Sequence, residues 1–364
     1  MKNIVILGST GKIGCQALEV IRSYPREFKV VGLACRHQSK KFAEQVKEFN
    51  PKITAIRVED GEEKFLKAAS CPEADLVVVA VVGLAGLKPT LAAIRAGKDV
   101  ALATKEVMVV AGKLVMEKVR QAGINLIPID SEHSALFQCL RAADKKEIKR
   151  LVLTMGKGPI AGMSENRLKN VTMKDVLDRP NWEMGRKIAV DSATGMNKTF
   201  EVIEARFLFG VEAEQIEIIV HPEYLCHSLV EFVDGSILTE LGSPDMKRYL
   251  QYALFYPKRK LTKVSSFIDL TKQSLTFENP PYRKFPCLNL GFQALERGSS
   301  APAVIHGADK TAVKAFVSGK IGFTQISQIV TEAMKKHKPI SNPSLEQLIQ
   351  VERWGQDYAQ RLIQ

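Results

Sequence analysis

A short apolar run followed at once by three spaced glycines constrains the fold of this chain more than any other feature. Residues 4–7, Ile-Val-Ile-Leu, have the composition of a strand buried in a parallel sheet, and Gly8, Gly11 and Gly14 precede a helical pattern that includes Ala17. Glycines at such a turn let the backbone approach a pyrophosphate, which binds at the helix N-terminus. The order predicts a Rossmann-like parallel sheet with a dinucleotide site, although the G-x-x-G-x-x-G spacing also suits glycines that only shape the turn.

The end of the second predicted strand indicates which dinucleotide binds. Residues 30–34 lead into Cys35-Arg36-His37-Gln38, where enzymes that use NAD usually carry an acidic residue for the ribose hydroxyls. A cation here favours a 2′-phosphate, so we predict NADPH with Arg36 as its contact, although a surface arginine after a strand needs no ligand.

Two further predicted strands, residues 76–82 and 100–103, end at the edge where open α/β sheets bind ligands. Lys105 follows the second of them and is a candidate electrophile or anion contact, or else a solvated loop lysine. Other residues expected at the cofactor are Thr10, Lys12, Ile13, His37, Gln38, Ala80, Val81, Val82 and Glu106.

The stretch Asp191–Glu204 predicts a loop that becomes a helix near Asn197. The N–H groups of a first helical turn attract anions, and Ser192, Asn197 and Lys198 add side-chain donors, so we predict a phosphate site. Glu201 and Glu204 would project from the same side of that helix, where a cation could bind beside the phosphate. An amphipathic helix with a capped start and solvated charges is the alternative.

A second acidic segment follows the predicted strand at residues 126–129. Asp130 and Glu132 are two apart, and on an extended segment they would point the same way. Together with Glu201 they would give a Mg²⁺ or Mn²⁺ ion three oxygen ligands and leave positions open for water and substrate. An N-cap for a helix over residues 134–140 explains the same residues without a metal.

The middle of the chain predicts an α+β domain. A strand at residues 151–155 runs into a glycine-bearing loop, and Trp182 beside Gly185 suits a lid that closes over a ligand, or a plain core anchor. Strands at residues 216–220, 229–233 and 237–241 are predicted to be antiparallel, with Asp234-Gly235 as a turn. His227 is a candidate ligand contact, although it and His221 are equally compatible with structural roles.

Composition limits the classes of function. The net charge of +12 is dispersed along the 364 residues, which argues against a nucleic-acid partner, and no apolar run reaches membrane-spanning length. Six cysteines without metal spacing suit a reducing, cytoplasmic setting. We predict four segments: a Rossmann-like domain at 1–128, a catalytic α+β domain with a flexible lid at 129–256, a linker at 257–287 and a helical bundle at 288–364.

Six motifs together resemble the 1-deoxy-D-xylulose 5-phosphate reductoisomerase family. They are Gly8-Ser-Thr-Gly-Lys-Ile-Gly14, Ile129-Asp-Ser-Glu-His133, Pro180-Asn-Trp-Glu-Met-Gly185, Asp191-Ser-Ala-Thr-Gly-Met-Asn-Lys198, Glu201-Val-Ile-Glu204 and Gly242-Ser-Pro-Asp-Met246. The resemblance implies an NADPH-dependent homodimer in isoprenoid precursor synthesis, with Mg²⁺, Mn²⁺ or Co²⁺ on Asp130, Glu132 and Glu201. It implies that 1-deoxy-D-xylulose 5-phosphate is rearranged by a retro-aldol and aldol pair and then reduced to 2-C-methyl-D-erythritol 4-phosphate.

The resemblance also assigns roles to single residues. It places Lys105, Glu132 and Glu204 in catalysis and Gly185 at the cofactor. Residues expected at the substrate are Ser131, Glu132, Lys157, Arg179, Trp182, Ser192, Asn197, Lys198, Glu201, His227 and Met246, with Met184 beside Trp182 on the lid.

Four positions depart from the family pattern, and all lie on the substrate side. Gly156 replaces a phosphate-binding serine and precedes Lys157, Arg179 replaces a histidine, Thr104 replaces an asparagine, and His306-Gly-Ala-Asp-Lys310 replaces Asn-Ala-Ala-Asn-Glu. New cations at Lys157 and Arg179 could offset the lost hydrogen bond. Two alternatives follow: a relative that applies the same chemistry to another phosphorylated ketose, and a non-catalytic ligand sensor, which the cost of clustered carboxylates without a cation disfavours.

Overall fold

The computed structural model describes residues 1–178 and 185–364, and it divides into two compact units. The first unit comprises residues 1–107, 114–142 and 239–273, and the second comprises residues 108–113, 143–238 and 274–364. The predicted boundaries at residues 128, 256 and 287 stay predictions.

The strands, in chain order, are β1 Lys2–Leu7, β2 Phe28–Cys35, β3 Ile53–Ile56, β4 Leu76–Val79, β5 Asp99–Leu102, β6 Leu126–Pro128, β7 Ile148–Met155, β8 Ile216–Val220, β9 Cys226–Phe232 and β10 Ile237–Leu241. The helices are α1 Lys12–Ser23, α2 Lys40–Phe49, α3 Arg57–Ala69, α4 Leu87–Arg95, α5 Lys105–Ala122, α6 Ser131–Cys139, α7 Glu165–Leu168, α8 Met173–Leu177, α9 Arg186–Thr194, α10 Met196–Phe209, α11 Met246–Phe255, α12 Cys287–Arg297, α13 Ala301–Val317, α14 Phe323–Lys336 and α15 Leu345–Ile363. No described helix is long and apolar enough to cross a membrane.

The first unit is built on a six-stranded parallel sheet in the order β3-β2-β1-β4-β5-β6. Residues 4–7 of β1 are fully buried, as expected for a strand with neighbours on both sides and helices on both faces. This is the strand order of a dinucleotide-binding sheet, so the predicted Rossmann-like architecture is confirmed. Strand β4 ends at Val79, three residues before the predicted end at residue 82, because residues 80–82 leave the sheet at its carboxyl edge.

The second unit contains a four-stranded sheet in the order β10-β9-β7-β8. β9 is antiparallel to β7 and β8 is parallel to it, so β8 and β9 run in opposite directions, as predicted, with β7 between them in the sheet. The parallel pairing of β7 with β8 needs a crossover, and the stretch of some 60 residues between them, whose described part includes four helices, is long enough for one.

Four helices follow the long connection in the second unit, and α13 packs against α12, α14 and α15. The predicted C-terminal helical bundle is therefore confirmed. Helix α13 begins at Ala301, and Pro302 occupies its first turn, where a proline is well tolerated. Most of its residues are buried, so its sequence has no amphipathic period to mark its beginning.

Residues 191–194 are helical, which contradicts the predicted loop in the stretch Asp191–Glu204. They end α9, and Gly195 joins α9 to α10 in a left-handed conformation (φ +84°) that glycine adopts readily. The predicted helix start near Asn197 is confirmed within one residue, since α10 begins at Met196.

Candidate active site

The glycine turn after β1 has the close backbone packing of a pyrophosphate cradle. Gly8 has φ +89°, and a Cβ there would lie 2.4 Å from the carbonyl oxygen of Ala80. A Cβ on Gly14 would lie 2.2 Å from the carbonyl oxygen of Gly8. Gly11 occupies the N-cap position of α1 and has no side chain to cap it. The first turn of α1 therefore faces the place where a phosphate group would bind.

The segment after β2 is fully exposed and contains no acidic residue. Arg36, His37 and Gln38 occupy it, ahead of Ser39, whose side chain caps α2. Val82, three residues after the end of β4, is 85% exposed. Lys105 and Glu106 lie in the first turn of α5, and Gly185 precedes α9.

Asp130 occupies the N-cap position of α6, and Glu132 lies in its first turn, so the predicted extended segment is wrong. The side chain of Asp130 does not cap the helix. It lies 2.8 Å from Nζ of Lys105 and 3.0 Å from Nδ1 of His133. Burial would raise the pKa of Asp130, but the charge of Lys105 and the hydrogen bond to His133 outweigh it and hold the pKa well below its usual value. Asp130 is therefore an anionic oxygen donor at neutral pH.

The remaining candidates of the first unit lie on α6 and α11. The hydroxyl of Ser131 donates a hydrogen bond to the carboxylate of Glu132. Met246 is the first residue of α11, and Tyr249 lies one turn later and is 1% exposed. Burial, and then the charge of Glu240, raise the pKa of Tyr249 well above its usual value, so its phenol stays neutral.

Lys198, on α10, is a buried cation of the second unit. Its ammonium group donates to the carbonyl oxygen of Thr154, at the end of β7, and to the carboxylate of Glu201. Nδ2 of Asn197 donates to Oε1 of Glu201 at 2.6 Å. Glu201 and Glu204 are each 1% exposed, whereas the alternative of a solvated amphipathic helix requires exposed carboxylates.

The two histidines of the second unit differ in their surroundings. His221 is buried, its Nε2 accepts from the backbone N–H of Leu225 at 3.1 Å, and its Nδ1 lies 2.9 Å from the carbonyl oxygen of Thr276. Both ring nitrogens thus serve the local structure. His227 lies on β9 and is 3% exposed.

The remaining candidates of the second unit are Lys157 and Ser192. Lys157 is half-exposed and pairs with Glu278 at 2.7 Å. Ser192 lies on α9, two residues before its end. Arg179 and Trp182, together with Met184, lie outside the described residues.

Comparisons with known proteins cover almost the whole chain. The family profile described as 1-deoxy-D-xylulose 5-phosphate reductoisomerase matches residues 4–61 and 54–112, and two profiles for its C-terminal domains match residues 126–209 and 241–358. The 1-deoxy-D-xylulose 5-phosphate reductoisomerase of Thermoanaerobacter pseudethanolicus is 46% identical over 371 residues, with 97% of each chain covered. This chain belongs to the 1-deoxy-D-xylulose 5-phosphate reductoisomerase family.

Solved structures of reductoisomerases share its fold. The enzyme of Zymomonas mobilis in complex with NADPH is 36% identical, with a TM-score of 0.93 over 100% of this chain and 99% of the other. A reductoisomerase in complex with NADPH, fosmidomycin and magnesium is 35% identical, with a TM-score of 0.93 over 100% and 98% of the two chains.

Two of the positions that depart from the reductoisomerase pattern are buried beside polar groups. Thr104 is 3% exposed, and its hydroxyl donates to the carbonyl oxygen of Val81 at 2.6 Å. His306 is 1% exposed, with Nδ1 3.1 Å from Oε1 of Glu352. Both substitutions are therefore accommodated by partners within their own unit.

Two features of this chain were not predicted from its sequence. Lys187 on α9 pairs with Asp191 and, at 2.7 Å, with Asp309 on α13. Asp309 is 122 residues away in sequence, so no local pattern could predict the pair. Tyr224 packs against Gly156, and here a signal existed: a glycine that replaces a larger residue leaves a volume for another side chain to fill.

Proposed function

We propose that this protein converts 1-deoxy-D-xylulose 5-phosphate to 2-C-methyl-D-erythritol 4-phosphate with NADPH and a divalent metal. The observation that carries the proposal is the full-length similarity to the reductoisomerases. The sheet order and the glycine cradle fit NADPH, because they provide a turn without side chains and an uncapped helix N-terminus.

We further propose that Asp130, Glu132 and Glu201 hold the metal. Three carboxylates form the oxygen-rich, anionic donor set that Mg²⁺, Mn²⁺ and Co²⁺ accept. When bound, the ion polarises the substrate's oxygens as a Lewis acid. Neighbouring residues prepare two of these ligands for the ion. Lys105 holds Asp130 in its anionic form, and Asn197 orients the carboxylate of Glu201.

The residues proposed for the substrate site are grouped here by chemical role. The residues proposed to be catalytic, which transfer protons or stabilise charge at the reacting carbons, are Lys105, Glu132 and Glu204. Lys198 is proposed to bind the substrate phosphate. The other residues proposed to contact the substrate are Ser131, Lys157, Arg179, Trp182, Ser192, Asn197, Glu201, His227 and Met246. Those proposed to contact NADPH are Gly8, Thr10, Gly11, Lys12, Ile13, Gly14, Arg36, His37, Gln38, Ala80, Val81, Val82, Lys105, Glu106 and Gly185.

Oxidation of NADPH, followed by its absorbance, tests the function. With 1-deoxy-D-xylulose 5-phosphate and Mg²⁺ we expect turnover that stops when EDTA removes the metal and returns with excess Mg²⁺ or Mn²⁺. A folded protein that gives no turnover with this substrate under any of these metals contradicts the proposal. Turnover of a different phosphorylated ketose would then support the alternative that the glycine at position 156 favours.

The cradle gives a sharper test of the NADPH site. Gly14→Ala places a methyl group 2.2 Å from a backbone oxygen that cannot move aside freely. We expect the Kd for NADPH, measured by fluorescence titration, to rise about tenfold or more. Gly162→Ala is the matched control, because nothing lies within 4 Å of its added Cβ. Equal NADPH affinities for the two variants would show that the turn does not contact the cofactor.

A homodimer is the proposed assembly. Val233, Ile237 and Leu238 are 66%, 56% and 49% exposed at the turn and on the edge strand β10, and a second copy would cover such apolar side chains. Light scattering on the purified protein measures the mass directly, and a monomer at all concentrations contradicts the proposal. We also propose a cytoplasmic location, since all six cysteines are free thiols.

A further inference from the structure

Tyr224 occupies the volume that a side chain at position 156 would need. A Cβ built on Gly156 would lie 1.9 Å from Cζ, 2.0 Å from Cε1 and 2.2 Å from the hydroxyl oxygen of Tyr224. No side chain can occupy position 156 while the phenol stays there. Gly156 and Tyr224 therefore pack as a pair, although 68 positions separate them in the sequence.

The turn that carries Tyr224 is tightly held. Tyr224 has φ +56°, and its hydroxyl donates to the carbonyl oxygen of Lys157 at 2.9 Å. The ring of His221 stacks on Phe277 and accepts the backbone N–H of Leu225, which fixes the turn on either side of Tyr224. The position of the phenol is thus set by its surroundings.

The phenol packs on Gly156, directly after the end of β7, and the ammonium group of Lys198 contacts the same end of that strand. Lys198 donates to the carbonyl oxygen of Thr154, two residues before Gly156. The hydroxyl of Thr154 accepts from the backbone N–H of Ser228 at 3.2 Å and donates to the carbonyl oxygen of Cys226 at 2.9 Å. The segment that follows Tyr224 therefore packs against the same end of β7, within the second unit.

We propose that the Tyr224 hydroxyl is a substrate-phosphate ligand, supplying from the β8–β9 turn the hydrogen bond that residue 156 cannot supply. Rotation about its Cζ–Oη bond turns the O–H from the Lys157 carbonyl oxygen towards a phosphate oxygen. That exchange gains energy, because a hydrogen bond to a charged acceptor is stronger than one to a neutral carbonyl. The inference rests on the proposed function in one respect, that Lys198 binds the substrate phosphate.

Tyr224→Phe removes only the hydroxyl. We expect the KM for 1-deoxy-D-xylulose 5-phosphate and the Kd for fosmidomycin, a phosphonate bound in relatives' structures, each to rise about tenfold while kcat changes less than about threefold. Tyr358→Phe on α15 is the matched control and should change neither constant. Unchanged KM and Kd in Tyr224→Phe overturn the proposal.

A double-mutant cycle separates ligand binding from packing. Gly156→Ser alone must displace the phenol, so its melting temperature should fall and its Kd for fosmidomycin should rise. Gly156→Ser combined with Tyr224→Ser removes the phenol and leaves room for the serine side chain at position 156. The Kd for fosmidomycin should then return to within about threefold of the parent value. A double variant that binds no better than Tyr224→Ser overturns the proposal.

The cycle also remains informative if the proposed function fails. A parent protein without turnover of 1-deoxy-D-xylulose 5-phosphate would contradict the reaction. The coupling of the two substitutions in fosmidomycin affinity would still decide whether Tyr224 binds a phosphoryl group.

Discussion

Glu201→Gln should lower turnover of 1-deoxy-D-xylulose 5-phosphate by about a thousandfold or more, since metal-ion polarisation contributes several kcal/mol to such reactions. The amide keeps the shape of the side chain but removes the charge that binds the metal. It also takes the carboxylate away from Lys198, which is only 5% exposed. Calorimetric titration with Mn²⁺ should show weaker metal binding in the same variant.

Glu217→Gln is the control for this experiment. Glu217 lies on β8 and pairs with Arg150 where both side chains are more than 40% exposed, so its loss should change turnover less than about twofold. Glu201→Gln with the parent activity and the parent affinity for Mn²⁺ would show that Glu201 is not a metal ligand. A large fall in melting temperature would instead assign the loss to folding, and the Mn²⁺ titration distinguishes the two.

Lys187→Met should produce the largest loss of stability, about 3–5 kcal/mol in the free energy of unfolding. The ammonium group of Lys187 pairs with both Asp191 and Asp309, whose side chains are 6% and 0% exposed. The pKa of Lys187 is raised, because its attraction to the two aspartates outweighs the effect of burial. Without the lysine, two buried carboxylates lose their shared cation.

The pH dependence of this variant checks the cause. The folded variant should take up protons that the unfolded chain does not bind near neutral pH, so its stability should rise as pH falls from about 8 to about 5. Urea unfolding across that range measures the effect. Lys335→Met, which removes an exposed pair with Glu332, should cost less than about 0.5 kcal/mol at every pH. A penalty for Lys187→Met that is independent of pH would mean that lost packing, not charge, causes it.

Local sequence determines the parts of this fold that could be predicted. Strand β1 and its glycine turn were recognisable because burial and backbone approach are encoded within eleven consecutive residues. The start of α10 was recognisable for a similar reason. The parallel direction of β8 was not, because it depends on how the whole crossover packs.

The candidate site shows the same division. Asp130, Glu201 and Lys198 were identifiable by residue type and spacing, whereas their partners required the fold. Lys105 reaches Asp130 from another helix, and the carbonyl oxygen of Thr154 reaches Lys198 from a strand. Sequence thus indicated the candidate groups, whereas only the fold shows which residues contact them.

The ion pair between Lys198 and Glu201 has a thermodynamic consequence for ligand binding. A phosphoryl group that draws the ammonium away leaves the carboxylate ready for a cation, and a cation that neutralises the carboxylate releases the ammonium for a phosphoryl group. Under the proposed assignment, each ligand must then raise the affinity for the other by the same factor, because coupling free energies are reciprocal. The Kd for fosmidomycin measured with and without Mg²⁺ gives that factor, and a ratio of one would exclude the linkage.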